Sequence, residues 1–180
     1  MLKVENLSFN EMIQNICLMF TPGTITGILG PNGSGKTTFL KTLKKIWTPT
    51  SGQVTWNGES LHALSREKMS EVMSLVPQNP QVTFGFTVRE FLEMGSYPAV
   101  SMNPQLYQQT LTLLDLEMLE DRPITELSGG ERQRAYIARS LITEAPVMML
   151  DEPIANLDIC HQQSILKLLK EFAQSGKTVI

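Results

Sequence analysis

Apolar and polar positions change their spacing several times along the chain, and each change marks an element. Leu2 to Leu7 alternates apolar and polar residues, the period of a half-buried strand, and Ile16 to Phe20 reads as a second strand. Thr21-Pro22-Gly23 is a turn leading into a short apolar strand with Ile25, Ile28 and Leu29. From Lys36 to Ile46 the spacing becomes that of a helix, with Phe39, Leu40, Leu43 and Ile46 on one face. Thr48-Pro49-Thr50-Ser51-Gly52 breaks it, and Gln53 to Trp56 with Asn57-Gly58 predicts a strand entering a hairpin turn. Ser65 to Val72 predicts a helix capped by Ser65, and Met73 to Val76 a buried strand ended by Pro77-Gln78. Residues 79–86 read as a loop with two exposed aromatics, Phe84 and Phe86. Thr87 to Met94 starts with a capping box, Thr87 with Glu90, and Leu106 to Leu119 predicts a helix closed by Asp121-Arg122-Pro123. A helix through Ile142 follows Ser128, with Ala135, Ala138, Leu141 and Ile142 as its buried face. Val147 to Leu150 is an apolar run short enough to be a strand buried on both faces of a parallel sheet. Ile159 to Gln174 reads as helix, and Lys177 to Ile180 begins a last strand.

Composition narrows the classes. At 180 residues, with 42% hydrophobic and 18% charged residues, the chain is an ordinary folded domain. A net charge of −3 gives no electrostatic ground for nucleic acid as a partner. No apolar run approaches the roughly 18 residues of a membrane span, and Met1 to Asn6 does not read as a signal peptide. Cys17 and Cys160 lack metal-ligand spacing and read as reduced structural thiols, so a cytosolic chain is expected.

Candidate chemistry begins between the strand ending at Leu29 and the helix starting at Lys36. Gly30-Pro31-Asn32-Gly33-Ser34-Gly35-Lys36-Thr37 fits G-x-x-x-x-G-K-[ST]. Its glycines let the backbone close around an anion with successive N–H groups pointing inward. Lys36 can reach the β- and γ-phosphates of a nucleotide, and the Thr37 hydroxyl can ligate Mg²⁺. Such a loop needs a carboxylate for Mg²⁺ at a neighbouring strand end, and Asp151 directly follows Val147–Leu150. Glu152 comes next, in place to orient or deprotonate a water attacking the γ-phosphate. Ser128-Gly129-Gly130-Glu131 reads as a capping box, but a cap has no need of two glycines. The pair leaves backbone N–H groups uncovered, which makes a second candidate phosphate site. Antiparallel strands, a strand–loop–helix unit, a helical stretch and a return to parallel α/β predict an α/β fold. The expected fold is a P-loop NTPase core, a parallel sheet with helices on both faces, with an N-terminal antiparallel β region and a helical subdomain. One domain over 1–180 is expected, with 1–78 and 141–180 as the core and about 79–140 as the helical subdomain.

Leu127-Ser128-Gly129-Gly130-Glu131-Arg132-Gln133-Arg134 resembles the signature motif of ABC-transporter ATPases. The loop Gly30 to Thr38, the strand-end Gln78, Asp151-Glu152-Pro153 and Asn156-Leu157-Asp158 resemble that family's other motifs in order, over essentially the whole chain. Phe84 to Glu90, Met94 to Pro98, Asp121 to Pro123 and Leu157 to Gln162 resemble the subgroup serving iron–siderophore, haem and cobalamin importers. The resemblance implies an ATP-hydrolysing subunit using ATP and Mg²⁺. Two such domains would pack head to tail, each ATP lying between Gly30 to Thr38 of one and Ser128, Gly129 and Gly130 of the other. It implies Thr37, Gln78 and Asp151 around Mg²⁺, and Glu152, Gln78 and Lys36 in catalysis. The implied partners are a second copy or a homologous ATP-binding subunit, polytopic permease subunits and a substrate-binding protein. The chain would be cytoplasmic, held on the inner face of the cell membrane by the permease, with Phe84, Phe86 and Tyr97 marking the docking surface.

The sequence departs from the family pattern in three places. The family commonly carries an adenine-stacking Tyr shortly after the position of Phe9, whereas Phe9-Asn10-Glu11-Met12-Ile13 runs almost directly into the next strand. Phe9 is the substitute the resemblance leaves. Ile154 and Asn156 stand where the family commonly has Thr and a Ser or His. The family places a switch His soon after a strand like Thr178-Val179-Ile180; this chain ends first, and neither His62 nor His161 has that position. Nucleotide binding is therefore expected to outlast turnover, and the last strand to present a raw sheet edge. His161 reads as a surface or packing residue. Two other functions stay open at this point: a soluble ATPase with the same signature acting on DNA or ribosomes, and a degenerate nucleotide-binding protein without turnover. The DNA-acting kind inserts a long coiled coil between Gln78 and Ser128, where this chain has a gap of 50 positions and no sustained heptads.

Overall fold

The computed structural model describes residues 1–78, 84–96, 102–155, 157 and 159–180. β1 (Leu2–Phe9) and β2 (Ile13–Phe20) form an antiparallel hairpin that pairs Leu2 with Phe20 and Val4 with Leu18. β3 (Ser51–Trp56) joins the other side of β1 and β4 (Glu59–Ser60) joins β3, giving the order β2-β1-β3-β4. Asn57 and Gly58 between β3 and β4 have φ of 50° and 90°, the positive pair that a two-residue hairpin turn requires. The second sheet is parallel, in the order β5-β6-β7, from β5 (Met73–Val76), β6 (Val147–Leu150) and β7 (Thr178–Val179).

The helices are α1 (Lys36–Leu43), α2 (Arg66–Val72), α3 (Val88–Glu93), α4 (Pro104–Leu113), α5 (Gly129–Ile142) and α6 (Ile159–Gln174). Local chemistry starts most of them. Ser65 Oγ accepts from the Lys68 N–H at the head of α2. Thr87 and Glu90 satisfy each other's backbone N–H groups at the head of α3. Asn103 Oδ1 accepts from the Gln105 and Leu106 N–H groups at 3.1 and 3.3 Å, with Pro104 in the first turn of α4.

The parallel sheet is a wall between two apolar cores. All four residues of β6 are buried, and they alternate sides. Val147 and Met149 belong with Leu2, Phe20, Phe39 and Leu43, under the antiparallel sheet and α1. Met148 and Leu150 belong with Leu92, Ile137 and Leu168, contributed by α3, α5 and α6. Each fully buried side chain of this size contributes roughly 1.5–3 kcal/mol, so the central strand β6 is anchored from both faces.

Five expectations need correction. The helix expected over Leu106–Leu119 stops at Leu113. Asp115 takes φ 49° and the Leu116 N–H closes on Leu111 O at 3.0 Å, which turns Leu114 and Leu116 into the core before a 3₁₀ turn at Glu117–Leu119. The stretch Ile25–Leu29 makes a single parallel bridge, Ile25 with Val179, and Leu29 is 95% exposed. Likewise α1 ends at Leu43, leaving Ile46 exposed rather than on its buried face. β7 is no raw edge, because β6 pairs one side and residues 23–26 the other: Val179 N–H donates to Thr24 O and Thr26 N–H to Val179 O. Cys17 and Cys160 are free and exposed, so neither thiol packs in a core.

Lys44, the C-cap of α1, ties that helix to the second sheet. Its ammonium donates to Met73 O and, at 3.4 Å, to Met69 O, and burial pushes its pKa down to about 8. The unfolded chain would hold that proton up to about pH 10.4. Between these values the unfolded state binds more protons, so stability rises with pH as the buried charge is relieved. In chemical denaturation, the Lys44 chain should gain stability over Lys44→Met between about pH 8 and 10; a constant difference across that range would contradict the assignment.

Candidate functional site

Gly35 opens α1 with φ 91° and ψ 10°; no side chain caps this helix and its first turn holds no carboxylate. The first N–H groups of α1 therefore stay available to an anion, and nothing opposes the positive end of the helix dipole. Lys36 Nζ donates to Gly30 O at 2.8 Å and Pro31 O at 3.1 Å, holding its ammonium across the loop. Gly35 is buried beneath the β1–β2 turn: a Cβ there would lie 2.9 Å from Ile13 Cγ2 and 3.0 Å from Met12 O. Gly33 also has positive φ, 81°, but nothing crowds it.

The second component comes from the pairing of β5 with β6. Val76 lies opposite Leu150, and the Asp151 N–H extends the ladder to Val76 O at 2.9 Å. Pro77-Gln78 and Asp151-Glu152 thus leave the sheet side by side. Gln78 Nε2 donates to Glu152 Oε2 at 2.5 Å. Asp151 is buried, whereas Glu152 is exposed and has φ 50°. A left-handed backbone at a non-glycine residue costs on the order of 1–3 kcal/mol, a strain characteristic of functional positions.

A cavity of about 340 Å³ lies between these components. Asn32, Gly33, Gly35, Lys36, Thr37 and Thr38 form one wall, and Gln78 and Glu152 another. Thr37 and Gln78 line it with a hydroxyl and an amide oxygen, and Asp151, buried at the end of β6 and outside that lining, offers one carboxylate. Among the described residues no group of three His, Cys, Asp or Glu could hold a metal. A hard oxygen set this sparse fits Mg²⁺, which keeps waters and takes its remaining ligands from substrate phosphates.

Ser128, Gly129 and Gly130 begin α5 elsewhere. The Ser128 N–H donates to Glu131 Oε2 at 2.8 Å and Ser128 Oγ accepts from the Glu131 N–H at 3.3 Å. The Ser128 side chain and then its backbone N–H, both beside the Glu131 carboxyl, hold it below its usual range. Ser128 and Gly129 are exposed, and a Cβ on Gly129 would meet nothing within 4 Å. None of the three lines the loop cavity, so one chain does not bring its two candidate phosphate sites together.

Phe9 is also outside that lining. Its ring stacks on Trp47, with centroids 5.3 Å apart and planes at 14°, and the Lys41 ammonium lies 4.8 Å over Trp47. The wall facing the β1–β2 turn is instead formed by Met12, whose Sδ accepts from Thr38 Oγ1 at 3.8 Å. Sequence reasoning missed Met12, and its only signal was its place directly before Ile13, in the turn that the short β1–β2 connection brings over the loop. His161 lies 3.0 Å from Arg134 Nη1 and 3.4 Å from Asp115 Oδ2, joining α6 to α5 and to the end of α4, as a packing residue would. Tyr97, Asn156 and Asp158 lie outside the described residues. A larger cavity of about 1140 Å³ between α1, α2 and α5 is edged by Lys41, Lys44, Lys45, Arg66 and Arg139, with no carboxylate among its described lining residues.

The ABC transporter family profile matches residues 13–155, and the chain belongs to that family. The cobalamin import ATP-binding protein BtuD of Halobacterium salinarum is 36% identical over 174 residues, which cover 94% of this chain and 44% of that protein. The hemin import ATP-binding protein HmuV of Rhizobium meliloti is 37% identical over 185 residues, 97% of this chain and 71% of that one. The iron(3+)-hydroxamate import ATP-binding protein FhuC of Bacillus subtilis is 34% identical over 94% of this chain and 66% of its own length. The chain thus spans from less than half to about 70% of these curated relatives. Among solved structures, an ATP-binding subunit of an ABC transporter superposes with a TM-score of 0.89 at 22% identity, covering 99% of this chain and 77% of the other, which shows the fold. An ATP-binding cassette solved as a dimer in a post-hydrolysis state with ADP and Pi matches with a TM-score of 0.87 at 27% identity, covering 99% of this chain and 86% of that one.

The loop geometry separates two glycines. Gly35→Ala adds a clash with Ile13 and Met12 to the cost of φ 91°, whereas Gly33→Ala meets only the backbone penalty. Urea unfolding should show a loss of about 1–2 kcal/mol for Gly33→Ala and a distinctly larger loss for Gly35→Ala. Equal losses would mean the β1–β2 turn does not press on the loop.

Proposed function

We propose that this chain is the ATP-binding and ATP-hydrolysing part of an ABC importer for an iron chelate, haem, cobalamin or a similar substrate. The observation that carries the reading is the convergence on one cavity of the Gly30–Thr38 loop, with its uncapped helix start, and the Gln78–Glu152 pair. The names of the relatives, which are import ATP-binding proteins for cobalamin, hemin and iron-hydroxamate, support the substrate class.

In this reading the N–H groups of Gly33 to Thr38 and the Lys36 ammonium bind the triphosphate. Mg²⁺, held by Thr37 and Asp151 with Gln78 nearby, would neutralise charge on the β- and γ-phosphates. Glu152 accepts a proton from, or orients, the attacking water, with Gln78 fixing its carboxylate by the 2.5 Å hydrogen bond. Ser128, Gly129 and Gly130 of a second copy, or of a homologous subunit, complete the γ-phosphate end. The chain would act as one domain, with 1–78 and 141–180 as core and about 79–140 as helical subdomain. It would sit on the cytoplasmic face of the membrane against permease subunits, fed by a substrate-binding protein. No helix among the described residues is long and apolar enough to cross a membrane. Phe84 and Phe86, exposed by 66% and 37% with rings 5.9 Å apart, support a docking surface there. The basic cavity edged by Lys41, Arg66 and Arg139 suits an acidic face of such a partner.

A phosphate-release assay with Mg-ATP tests this reading. Glu152→Gln should lower turnover by about 100-fold or more while leaving ATP affinity within a few-fold, as loss of a general base or water-orienting group does. Lys36→Ala should instead lose binding. Turnover that survives Glu152→Gln would move the chemistry to another residue.

A further inference from the structure

We infer that Asn32 is a self-modification site: its carboxamide cyclises onto the Gly33 nitrogen and hydrolyses to a carboxylate, which shuts the loop to phosphate. The chain has two Asn-Gly pairs, Asn32-Gly33 and Asn57-Gly58. In such a pair no side chain shields the attacking nitrogen, and asparagine amides are among the thermolabile groups of proteins. The two pairs are held differently. Ser34 N–H donates to Pro31 O at 3.2 Å, so Asn32 and Gly33 are the central residues of a four-residue turn whose hydrogen bond uses neither of their N–H groups. Both residues are exposed. Among the described residues, neither the Gly33 N–H nor the Asn32 carboxamide has a hydrogen-bond partner. Gly33 has φ 81°, and a Cβ on it would meet nothing within 4 Å, so the space beside its nitrogen is open. Asn57, by contrast, is tethered. Its N–H donates to Met1 O at 3.0 Å and its carboxamide oxygen accepts from the Met1 ammonium, a bond that ring closure has to break.

The reaction consumes only water. The Gly33 nitrogen gives its proton to hydroxide and attacks Asn32 Cγ; the N–Cγ bond forms, the Cγ–Nδ2 bond breaks, and Nδ2 takes a proton from water and leaves as ammonia. Water then opens the cyclic imide at either carbonyl, leaving aspartate or, with the chain rerouted through the side-chain carbonyl, isoaspartate. Ring closure passes through an anionic nitrogen and an oxyanion. Lys36 Nζ, which donates to Pro31 O just ahead of Asn32, and the uncapped start of α1 place positive charge beside both. The field that suits a phosphate therefore also favours the ring. Asn32 lines the loop cavity, so its product adds a carboxylate to a wall that must accept an anion. A bound phosphate engages the Gly33 N–H and removes the nucleophile, a consequence that rests on the nucleotide-binding reading above. The empty chain disarms itself with time, and the loaded chain is preserved.

Peptide mapping by mass spectrometry tests this on the full chain, aged in mildly alkaline buffer with and without inorganic tripolyphosphate. Conversion at Asn32 should run about tenfold or more faster than at Asn57, which serves as the internal reference for a folded chain. Saturating tripolyphosphate should slow Asn32 by about tenfold or more and leave Asn57 unchanged. Gly33→Ala, which sets a methyl group beside the nitrogen, should slow Asn32 relative to Asn57 in buffer alone. In calorimetric titration, Asn32→Asp should bind tripolyphosphate about tenfold or more weakly than the native chain. Equal rates at Asn32 and Asn57, or an Asn32→Asp chain that binds tripolyphosphate as tightly as the native one, overturns the inference and leaves the nucleotide reading standing. A native, unaged chain that binds neither tripolyphosphate nor ATP overturns the nucleotide reading and takes the inference with it.

Discussion

The parallel register of β5 and β6, with Val76 opposite Leu150, is the constraint on which the rest of the structure depends. It sends Gln78 and Glu152 out of the sheet within one hydrogen bond of each other, from positions 74 residues apart in the chain. A register slip of one residue would turn every β6 side chain to the opposite core. That slip is opposed because Val147 and Met149 fill one core while Met148 and Leu150 fill the other. The apolar run that looks least specialised in the sequence therefore sets the geometry of the most polar part of the molecule.

The same wall explains how the phosphate loop meets these groups. α1 is fastened to the core by Phe39, Leu40 and Leu43, and its C-terminal end is tied to β5 through Lys44 and Met73 O. The head of α1 is then delivered to the strand ends by a short rigid element, with Gly35 pinned beneath the β1–β2 turn. Four separate parts of the chain converge on one cavity, while the capped helix start at Ser128–Gly130 lies elsewhere. One copy presents two helix starts, that of α1 uncapped and facing catalytic-type side chains, that of α5 exposed at Ser128 and Gly129 and closed by its own Ser128–Glu131 capping box. Such a division suits pairing with a second, complementary surface.

What was legible in the sequence followed the range of the interactions. The capping boxes at Thr87–Glu90 and Ser128–Glu131 span four residues each, and both form. β6 was legible because four apolar residues bounded by polar ones have one cheap solution in an α/β fold. The end of α4 was not, since the apolar spacing continues through Leu116 and Leu119 while the left-handed turn at Asp115 is selected by tertiary burial of Leu114 and Leu116. The pairing of residues 23–26 with β7 joins opposite ends of the chain and leaves no local trace. The partner of Phe9 was hidden for the same reason: Trp47 sits 38 positions away, and the stack that takes Phe9 leaves the cavity wall to Met12.

The central claim is that the loop cavity and the Ser128–Gly130 helix start are two halves of a site completed only between copies. Sedimentation velocity of Glu152→Gln, with and without Mg-ATP, tests it most directly. The expected result is a monomer without nucleotide, a dimer at saturating Mg-ATP, and return to monomer when Ser128→Arg blocks the helix start in the same chain. A chain that demonstrably binds ATP and stays monomeric, or that dimerises equally well with the helix start blocked, would contradict it.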